Sequence, residues 1–360
     1  MGISSGKSFH ARNCHRQNCR DDPRSSQGKR DSKRTQVGYG LILATVAALS
    51  GTASWADALK LAYWNTELEA KGPGILAQSI LRKNSPAVDR VLRAIEALDA
   101  DVLVLGGFDF DAGGLALTAL NQALAKPYPH LRPLRPNTGV PTGVDVDGNG
   151  RLGEAADAQG YGLFPGQGGL AILSRLPFSD DRGADYSSFL WKDLPGADLS
   201  ALTGDAKAVL RLSTTSHSDT VVSLRQGQDL HLLTWHGTTP AFDGPEDRNG
   251  KRNTDETRFW TLLLDGALPF PAPTAPFVLM GQANADPEKG DGDPTAIRAL
   301  LADSLVQSGF AGDTVDYGGD IGPLRVSYIL PSAGLSLVDS GVGELSEGAR
   351  HRPVWAIIEF

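Results

Sequence analysis

The segment Thr239-Pro-Ala-Phe-Asp-Gly-Pro-Glu-Asp-Arg-Asn-Gly-Lys-Arg-Asn-Thr-Asp-Glu-Thr-Arg-Phe-Trp260 lies just after a strand-like run, 230–235, that leads into His236. Its first half is rich in Gly, Pro, Asp and Asn, the residues that favour turns. The pattern over 253–264 predicts a helix. A long loop in a compact domain usually surrounds a site. We therefore expect a site beside His236.

Strands and helices alternate along residues 57–360. The patterns predict strands at 59–64, 102–105, 170–173, 230–235, 277–280, 326–330, 335–338 and 354–360, and helices at 88–98, 115–124, 253–264 and 296–306. No interval repeats and no Pro/Ser-rich linker divides this region, so it is predicted to be one domain. Gly-rich insertions are expected at 107–114, 136–168 and 238–252. Two groups of strands with interleaved helices fit an α/β sandwich of two packed sheets flanked by helices.

Residues 1–56 form a different kind of segment. Nine Lys and Arg residues precede an uncharged run from Gly38 to Ser50, and Ser54-Trp-Ala56 follows. This order predicts a secretory signal peptide with cleavage after Ala56, and hence a secreted or periplasmic protein. The run is too polar for a stable membrane anchor. Both cysteines, Cys14 and Cys19, lie in this leader, so the mature chain can form no disulfide.

Composition and charge limit the possible partners. The chain has 360 residues, is 41% hydrophobic and has a mean hydropathy of −0.20, as expected for a globular protein with a large core. Without the leader, 25 basic and 39 acidic residues remain of the 34 and 42 in the whole chain, a net charge of −14. This charge repels phosphate backbones, so nucleic acid is an unlikely partner.

Motifs in a fixed order resemble a secreted bacterial branch of the endonuclease/exonuclease/phosphatase superfamily. The resemblance covers nearly all of residues 57–360. Besides the opening segment they are Trp64-Asn-Thr-Glu67, Phe108-Asp-Phe-Asp111, Asn137-Thr-Gly-Val-Pro-Thr-Gly143, Phe164-Pro-Gly-Gln167, Gly169-Leu-Ala-Ile-Leu-Ser-Arg-Leu-Pro177, Phe189-Leu-Trp-Lys-Asp-Leu-Pro-Gly196, Asn284-Ala-Asp-Pro287 and Pro353-Val-Trp355. The resemblance implies a DNase I-like fold and a phosphoester hydrolase that uses Mg²⁺ or Mn²⁺.

Four neutral residues of that family's site are retained. By the resemblance, Asn65 and His236 follow two of the strands, Asn284 steadies a phosphate, and His351 is the second site histidine. Glu67, two residues after Asn65, is the remaining candidate metal ligand.

Four carboxylates of the family's site are replaced. Gly107 stands where the main Mg²⁺ ligand is expected, and Gln282 stands where an Asp activates the attacking water. Ser327 replaces the Asp that orients a histidine, and Arg350 replaces a second metal-binding carboxylate. An amide cannot take up a proton near neutral pH. Loss of hard oxygen ligands weakens Mg²⁺ binding.

Three hypotheses about function stay open. The first is a catalytically impaired pseudoenzyme whose cleft, with Arg350 and His351, binds a small phosphorylated or anionic ligand. The second is a metal-dependent phosphodiesterase with a displaced ion held by Glu67, Asp109 and Asp111. The third is a scaffold or interaction protein of unknown partner, in which the retained polar residues are structural.

A separate motif, Asp145-Val-Asp-Gly-Asn-Gly150, has the spacing that begins a calcium loop. Asp145, Asp147 and Asn149 are the expected ligands of a structural Ca²⁺. Ala156 stands where the bidentate Glu is expected, and Asp157 is adjacent. The alternative is a tight Gly/Asn turn without an ion.

Overall fold

A computed structural model describes residues 58–224, 227–273 and 276–360. The expected signal peptide and its cleavage point at Ala56 lie outside these residues. Within them, no helix is both long enough and apolar enough to cross a membrane.

Two mixed β-sheets form the centre of the domain, as expected. The first has six strands in the spatial order β12-β13-β1-β2-β4-β3. Its strands are β1 (Leu59–Leu68), β2 (Val102–Phe108), β3 (His130–Leu134), β4 (Gly169–Ser174), β12 (Ser336–Val342) and β13 (Val354–Glu359). The central strands β1 and β2 are parallel, and their outer neighbours β13 and β4 pair antiparallel to them.

The second sheet has five strands in the order β11-β8-β7-β6-β5. They are β5 (Ala184–Asp185), β6 (His217–Ser223), β7 (Asp229–His236), β8 (Phe277–Gln282) and β11 (Ser327–Pro331). Here β7 and β8 are the parallel pair. A small separate ribbon joins β9 (Val315–Asp316) to β10 (Pro323–Leu324).

In the described part of the chain, six α-helices cover the sheets: α1 (Ile75–Arg82), α2 (Pro86–Leu98), α3 (Leu115–Gln122), α4 (Gly204–Val209), α5 (Arg248–Leu264) and α6 (Thr295–Ala302). Side chains alternate along β1, so that Leu61 and Tyr63 pack between the sheets while Ala62 and Trp64 pack under the first three helices. Burial on both faces explains why the central strands read as nearly continuous apolar runs. The α/β sandwich predicted from the sequence is confirmed.

Several element boundaries were predicted wrongly. Helix α6 ends at Ala302 rather than 306, because the backbone of Asp303 is extended and Val306 forms an isolated β-bridge with Ser332, just after β11. Helix α5 begins five residues before the expected start, so the loop after His236 is shorter than predicted.

Several of the described elements were not predicted. Strand β6 is buried yet begins His-Ser-Asp-Thr, so hydropathy gives no sign of it. Strand β3 contains Arg and Pro and is only half-buried. Helices α1 and α4 and strands β5, β9 and β10, which have two to eight residues each, were not predicted either.

Candidate functional site

The retained and replaced positions meet where strands of the two sheets end. His236 lies opposite Gln282 in the parallel pair β7 and β8, and Gln282 lies opposite Ser327 in β11. Asn65 and Gly107 are on the neighbouring strands β1 and β2. The side-chain amide of Asn65 donates a 3.0 Å hydrogen bond to Gln282 Oε1, which connects the two sheets. The positions singled out in the sequence therefore belong to one site.

Gln282 is held by hydrogen bonds at both ends of its amide. Its Oε1 accepts from Asn65, and its Nε2 donates to Asn284 Oδ1 at 2.6 Å. Asn284 in turn donates to the carbonyl oxygen of Gly237 at 2.8 Å. This chain of amides is buried and neutral. It leaves no general base at position 282.

Arg350 pairs with the one acidic residue retained at the site. Its Nε donates to Glu67 Oε1 at 2.7 Å, and its backbone N–H donates to Glu67 Oε2 at 2.9 Å. Although burial raises the pKa of Glu67, these hydrogen bonds and the positive charge hold it below its usual value. The guanidinium also lies over the ring of Tyr317, 5.9 Å from its centre. Arg350 thus contacts both oxygens of Glu67, one through its guanidinium and the other through its backbone N–H.

The two site histidines are neutral at pH 7. Burial lowers the pKa of His236 to about 4, and burial together with Arg350 lowers the pKa of His351 to about 4 against the effect of Glu67. Their Nδ1 atoms and Ser327 Oγ are buried without a hydrogen-bond partner in the described residues. Glu67 balances the charge of Arg350, so this ion pair and the two histidines together carry no net positive charge.

Gly107 adopts a backbone conformation that excludes a carboxylate side chain. Its φ is +57°, in the left-handed region, and a Cβ at this position would overlap Asn65 Oδ1. The family's glutamate would therefore not fit here without movement of Asn65.

The displaced metal site proposed from the sequence does not form in the described residues. Asp109 accepts hydrogen bonds from the backbone N–H groups of Ala70 and Gly168, at 2.9 and 3.0 Å. Asp111 caps the start of α3. Both carboxylates thus accept hydrogen bonds from backbone N–H groups. Glu69 is the other carboxylate nearby, and burial with the charges of Asp109 and Glu67 raises its pKa. Within the described residues, no three Asp, Glu, His or Cys side chains around Glu67 converge on one metal position.

A cleft of about 830 Å³ opens beside this site. His236 and Asn284 form part of its wall, and the loops at 138–168, 210–215 and 238–249 form the rest. This volume is in the range of clefts that bind small molecules.

Helix α5 holds the loops around the cleft. Glu256 is fully buried and accepts hydrogen bonds from the backbone N–H groups of Thr214 and Thr238, at 2.6 and 2.5 Å. Asn253 donates to the carbonyl oxygens of Thr238 and Ala283. The sequence reasoning missed these residues. Their three-residue spacing on a helix, which puts them on one face, was the available signal.

Strained backbone is concentrated around the site and the cleft. Six described residues other than glycine have a positive φ, and two of them, Lys83 and Asp99, are ordinary helix C-caps. The others are Glu67, Asn284 and, in the loop before α5, Phe242 and Asp247. Such conformations persist only where the surroundings enforce them.

The expected calcium loop brings three aspartates together. Asp145, Asp147 and Asp157 each offer an oxygen within 4.8 Å of the others. Asp145 also accepts hydrogen bonds from the backbone N–H groups of residues 148–150. Asn149, an expected ligand, instead accepts from the backbone of Arg151 through its Oδ1. Asp157, next to the position where the bidentate Glu is expected, joins the two aspartates of the motif.

Comparisons with known proteins agree on a family and a fold. A model of the endonuclease/exonuclease/phosphatase family matches residues 62–352. A search of curated proteins gives no match.

Three solved structures illustrate the shared fold. An endonuclease/exonuclease/phosphatase from Beutenbergia cavernae DSM 12333 is 17% identical, with a TM-score of 0.52 over 84% of this chain and 72% of that one. A family protein from Leptotrichia buccalis C-1013-b is 16% identical, with a TM-score of 0.50 over 84% and 100%. The human Nocturnin catalytic domain, solved with a bound sulfate anion, is 14% identical, with a TM-score of 0.50 over 84% and 93%. At these identities the likeness establishes the fold alone.

Replacing Gly107 by Ala tests whether the backbone at this position excludes a side chain. We expect the variant to lose about 1–3 kcal/mol of unfolding free energy. Both the left-handed φ and the overlap of the new Cβ with Asn65 destabilise the folded state. Urea denaturation followed by tryptophan fluorescence measures the loss.

Gly266→Ala is the matched control, since Gly266 has a φ of +68° but no atom within 4 Å of an added Cβ. It carries the cost of the conformation without the overlap. An equal loss in both variants would contradict the account of Gly107.

Proposed function

Because the chain belongs to the endonuclease/exonuclease/phosphatase family, we propose that it is an exported, catalytically impaired member whose cleft binds a small phosphorylated or other anionic ligand without a metal ion. The observation that carries this proposal is the pairing of Arg350 with Glu67. A metal ion would have to displace an arginine whose charge opposes its own.

The arrangement of the other replaced residues supports loss of catalysis. Position 282 has no group to accept a proton from water, and Ser327 cannot stabilise an imidazolium as a carboxylate does. Metal, base and histidine orientation act as a unit in this kind of site. Loss of any one of them commonly costs several orders of magnitude in rate.

Arg350 also supports binding of an anion. Only its Nε is bonded to Glu67, and 60% of its side chain is exposed. A guanidinium presents paired N–H groups that match the oxygens of a phosphate or carboxylate. The neutral imidazoles of His236 and His351 add N–H donors rather than charge. The amide chain from Asn65 to Asn284 keeps this surface in shape.

The roles of these site residues are therefore part of the proposal. Asn65, His236, Asn284 and His351 are assigned to ligand binding, and Glu67 to the orientation of Arg350 instead of to a metal ion. The competing candidate function is a phosphodiesterase with residual metal-dependent activity. The assay described next distinguishes it from the proposed function.

The assay combines hydrolysis with binding. In excess Mg²⁺ or Mn²⁺, we expect the mature protein to hydrolyse bis(p-nitrophenyl) phosphate at least about ten thousand-fold more slowly than an active family member. Isothermal titration calorimetry with inorganic phosphate should give the same affinity in Mg²⁺ and in EDTA, because no metal takes part.

Two single variants of equal charge change provide the control. Arg350→Gln should weaken phosphate binding about tenfold, as expected for loss of a charge-assisted contact. Arg352→Gln, at an exposed position two residues on, should leave it unchanged. Phosphate binding that requires Mg²⁺, or metal-dependent turnover near that of an active relative, would contradict the proposal.

Export through the leader is a second part of the proposal. It is motivated by the basic, apolar and small-residue order of residues 1–56. Mass spectrometry of the protein recovered outside the cytoplasm should find Asp57 at the N-terminus. A leader that stays attached would contradict it.

The group formed by Asp145, Asp147 and Asp157 supports the proposal that the protein binds a structural Ca²⁺. Asp147 belongs to this group and also lines the cleft. We expect Ca²⁺ to raise the melting temperature progressively with concentration, because it binds only the folded loop. Differential scanning calorimetry measures this rise.

Asp145→Asn/Asp147→Asn should abolish the rise, while Asp291→Asn/Asp320→Asn, at two exposed positions outside the group, should preserve it. If both double variants respond alike, Ca²⁺ acts elsewhere and the calcium site is wrong. The alternative of a calcium-stabilised scaffold requires the rise together with no binding of phosphate.

A further inference from the structure

Two exposed aromatic side chains line the cleft, and nothing in the proposed anion site uses them. Phe242, in the loop before α5, is 94% exposed, and Tyr161, in the Gly-rich loop at 136–168, is 70% exposed. Both belong to the lining of the same 830 Å³ cleft. We call these two residues the rim pair.

Phe242 is held in its exposed position from both sides. Asn249 donates through its side chain to the carbonyl oxygen of Ala241 at 2.7 Å, and through its backbone N–H to Asp243 Oδ2. Between these two contacts, Phe242 has a φ of +67°, which is costly for a large side chain. The loop is thus fixed in a conformation that presents an apolar ring to solvent at a cost in free energy.

Tyr161 is fixed in a comparable way. It lies between two glycines that pack against backbone with no room for a side chain. A Cβ at Gly160 would overlap the carbonyl oxygen of Thr214, and a Cβ at Gly162 would lie 2.7 Å from the backbone nitrogen of Gly139. Because both flanking residues are packed against backbone, the loop is fixed on either side of Tyr161, and its ring is exposed to solvent.

The charge of the cleft lining selects among ring-shaped ligands. Four carboxylates line it, those of Glu69, Asp147, Asp243 and Glu246, against the two guanidinium groups of Arg248 and Arg252. Arg252 is buried and donates to three backbone carbonyl groups. A polyanion is therefore repelled by the outer cleft. Carboxylates instead accept hydrogen bonds from the hydroxyl groups of a neutral ring.

We propose that the rim pair and the carboxylates beside it bind the pyranose ring of a sugar. The C–H face of the ring packs on Phe242 and Tyr161, and its hydroxyl groups donate to the carboxylates. This inference rests on the proposed function, because the same ligand extends one anionic substituent, such as a phosphate, past His236 and Asn284 toward Arg350. The ligand class is then a sugar phosphate.

The patch is less suited to a lipid surface or to a nucleobase. Two aromatic rings among four carboxylates do not form the wide apolar patch that contact with a bilayer requires. A nucleobase can stack on either ring. It offers fewer hydroxyl donors to the carboxylates than a hexose does.

The test measures ring binding separately from anion binding. The probes are the methyl α-glycosides of glucose, mannose and galactose, the 6-phosphates of the same sugars, AMP and inorganic phosphate. Saturation-transfer NMR detects each contact, and calorimetry gives each affinity up to about 20 mM ligand. At least one hexose 6-phosphate should bind more tightly than inorganic phosphate, and its ring protons should receive the largest saturation transfer.

Variants of the rim pair identify the surface. Phe242→Ala and Tyr161→Ala should each weaken the hexose phosphate about fivefold and leave inorganic phosphate unchanged, in keeping with the strength of single aromatic contacts. Phe242→Trp should retain binding. Leu81→Ala is the control, since Leu81 is 57% exposed on α1 and is not part of the cleft lining.

Failure of this inference and failure of the proposed function give different results. If glycosides bind and depend on Phe242 while inorganic phosphate does not bind, the ring site stands and the anion site is wrong. If inorganic phosphate binds as tightly as every hexose phosphate, the ring site is overturned. Tighter binding of AMP than of any hexose phosphate, or Phe242-dependent sedimentation with phosphatidylcholine vesicles, also overturns it.

Discussion

The buried carboxylate of Glu256 is the contact on which the cleft depends. Helix α5 brings it beneath two loops, and its oxygens receive the N–H groups of Thr214 and Thr238. Burial raises its pKa, while the positive charge of Arg252, one turn earlier, and these hydrogen bonds oppose that rise. Arg252 itself stays charged at pH 7, since burial lowers its pKa only to about 10. Removing one partner from a buried charged network commonly costs about 3–5 kcal/mol. Loops without strand or helix hydrogen bonds need such partners to keep their shape.

Two of the positions predicted to be replaced are paired with neighbouring site residues. Gln282 satisfies the amides of Asn65 and Asn284, and Arg350 neutralises Glu67. Ser327 differs, because its Oγ is buried without a hydrogen-bond partner in the described residues. The pairing of Arg350 matters most, because a buried charge without a partner is unfavourable. The bond between Gln282 and Asn65 also joins the two sheets at this site.

Local sequence patterns predicted the sandwich, whereas the residues of the site were predicted from the resemblance to the family. Periodicity gives the central strands, and the end of a strand fixes where residues such as His236 and Gln282 lie. The pairing of Arg350 with Glu67 could not be predicted in this way, since these residues are 283 positions apart and the direction of a long side chain depends on packing. Strand β6 was missed because its buried residues are polar and are satisfied only by tertiary contacts. The conformation of Gly107 likewise follows from the position of Asn65, which the sequence does not state.

The polar residues of the site and the aromatic residues of the cleft have different physical explanations. Asn65, Gln282 and Asn284 are linked by hydrogen bonds, so they stabilise the fold whether or not a ligand binds. A structural role does not explain Tyr161 and Phe242, because an exposed ring contributes little to the stability of the fold. The left-handed backbone at Phe242 lowers that stability further. A protein that only needed the scaffold would be more stable with glycine or asparagine at position 242, since both tolerate this conformation. The strain in the loop is thus the strongest physical argument that the cleft binds a ligand.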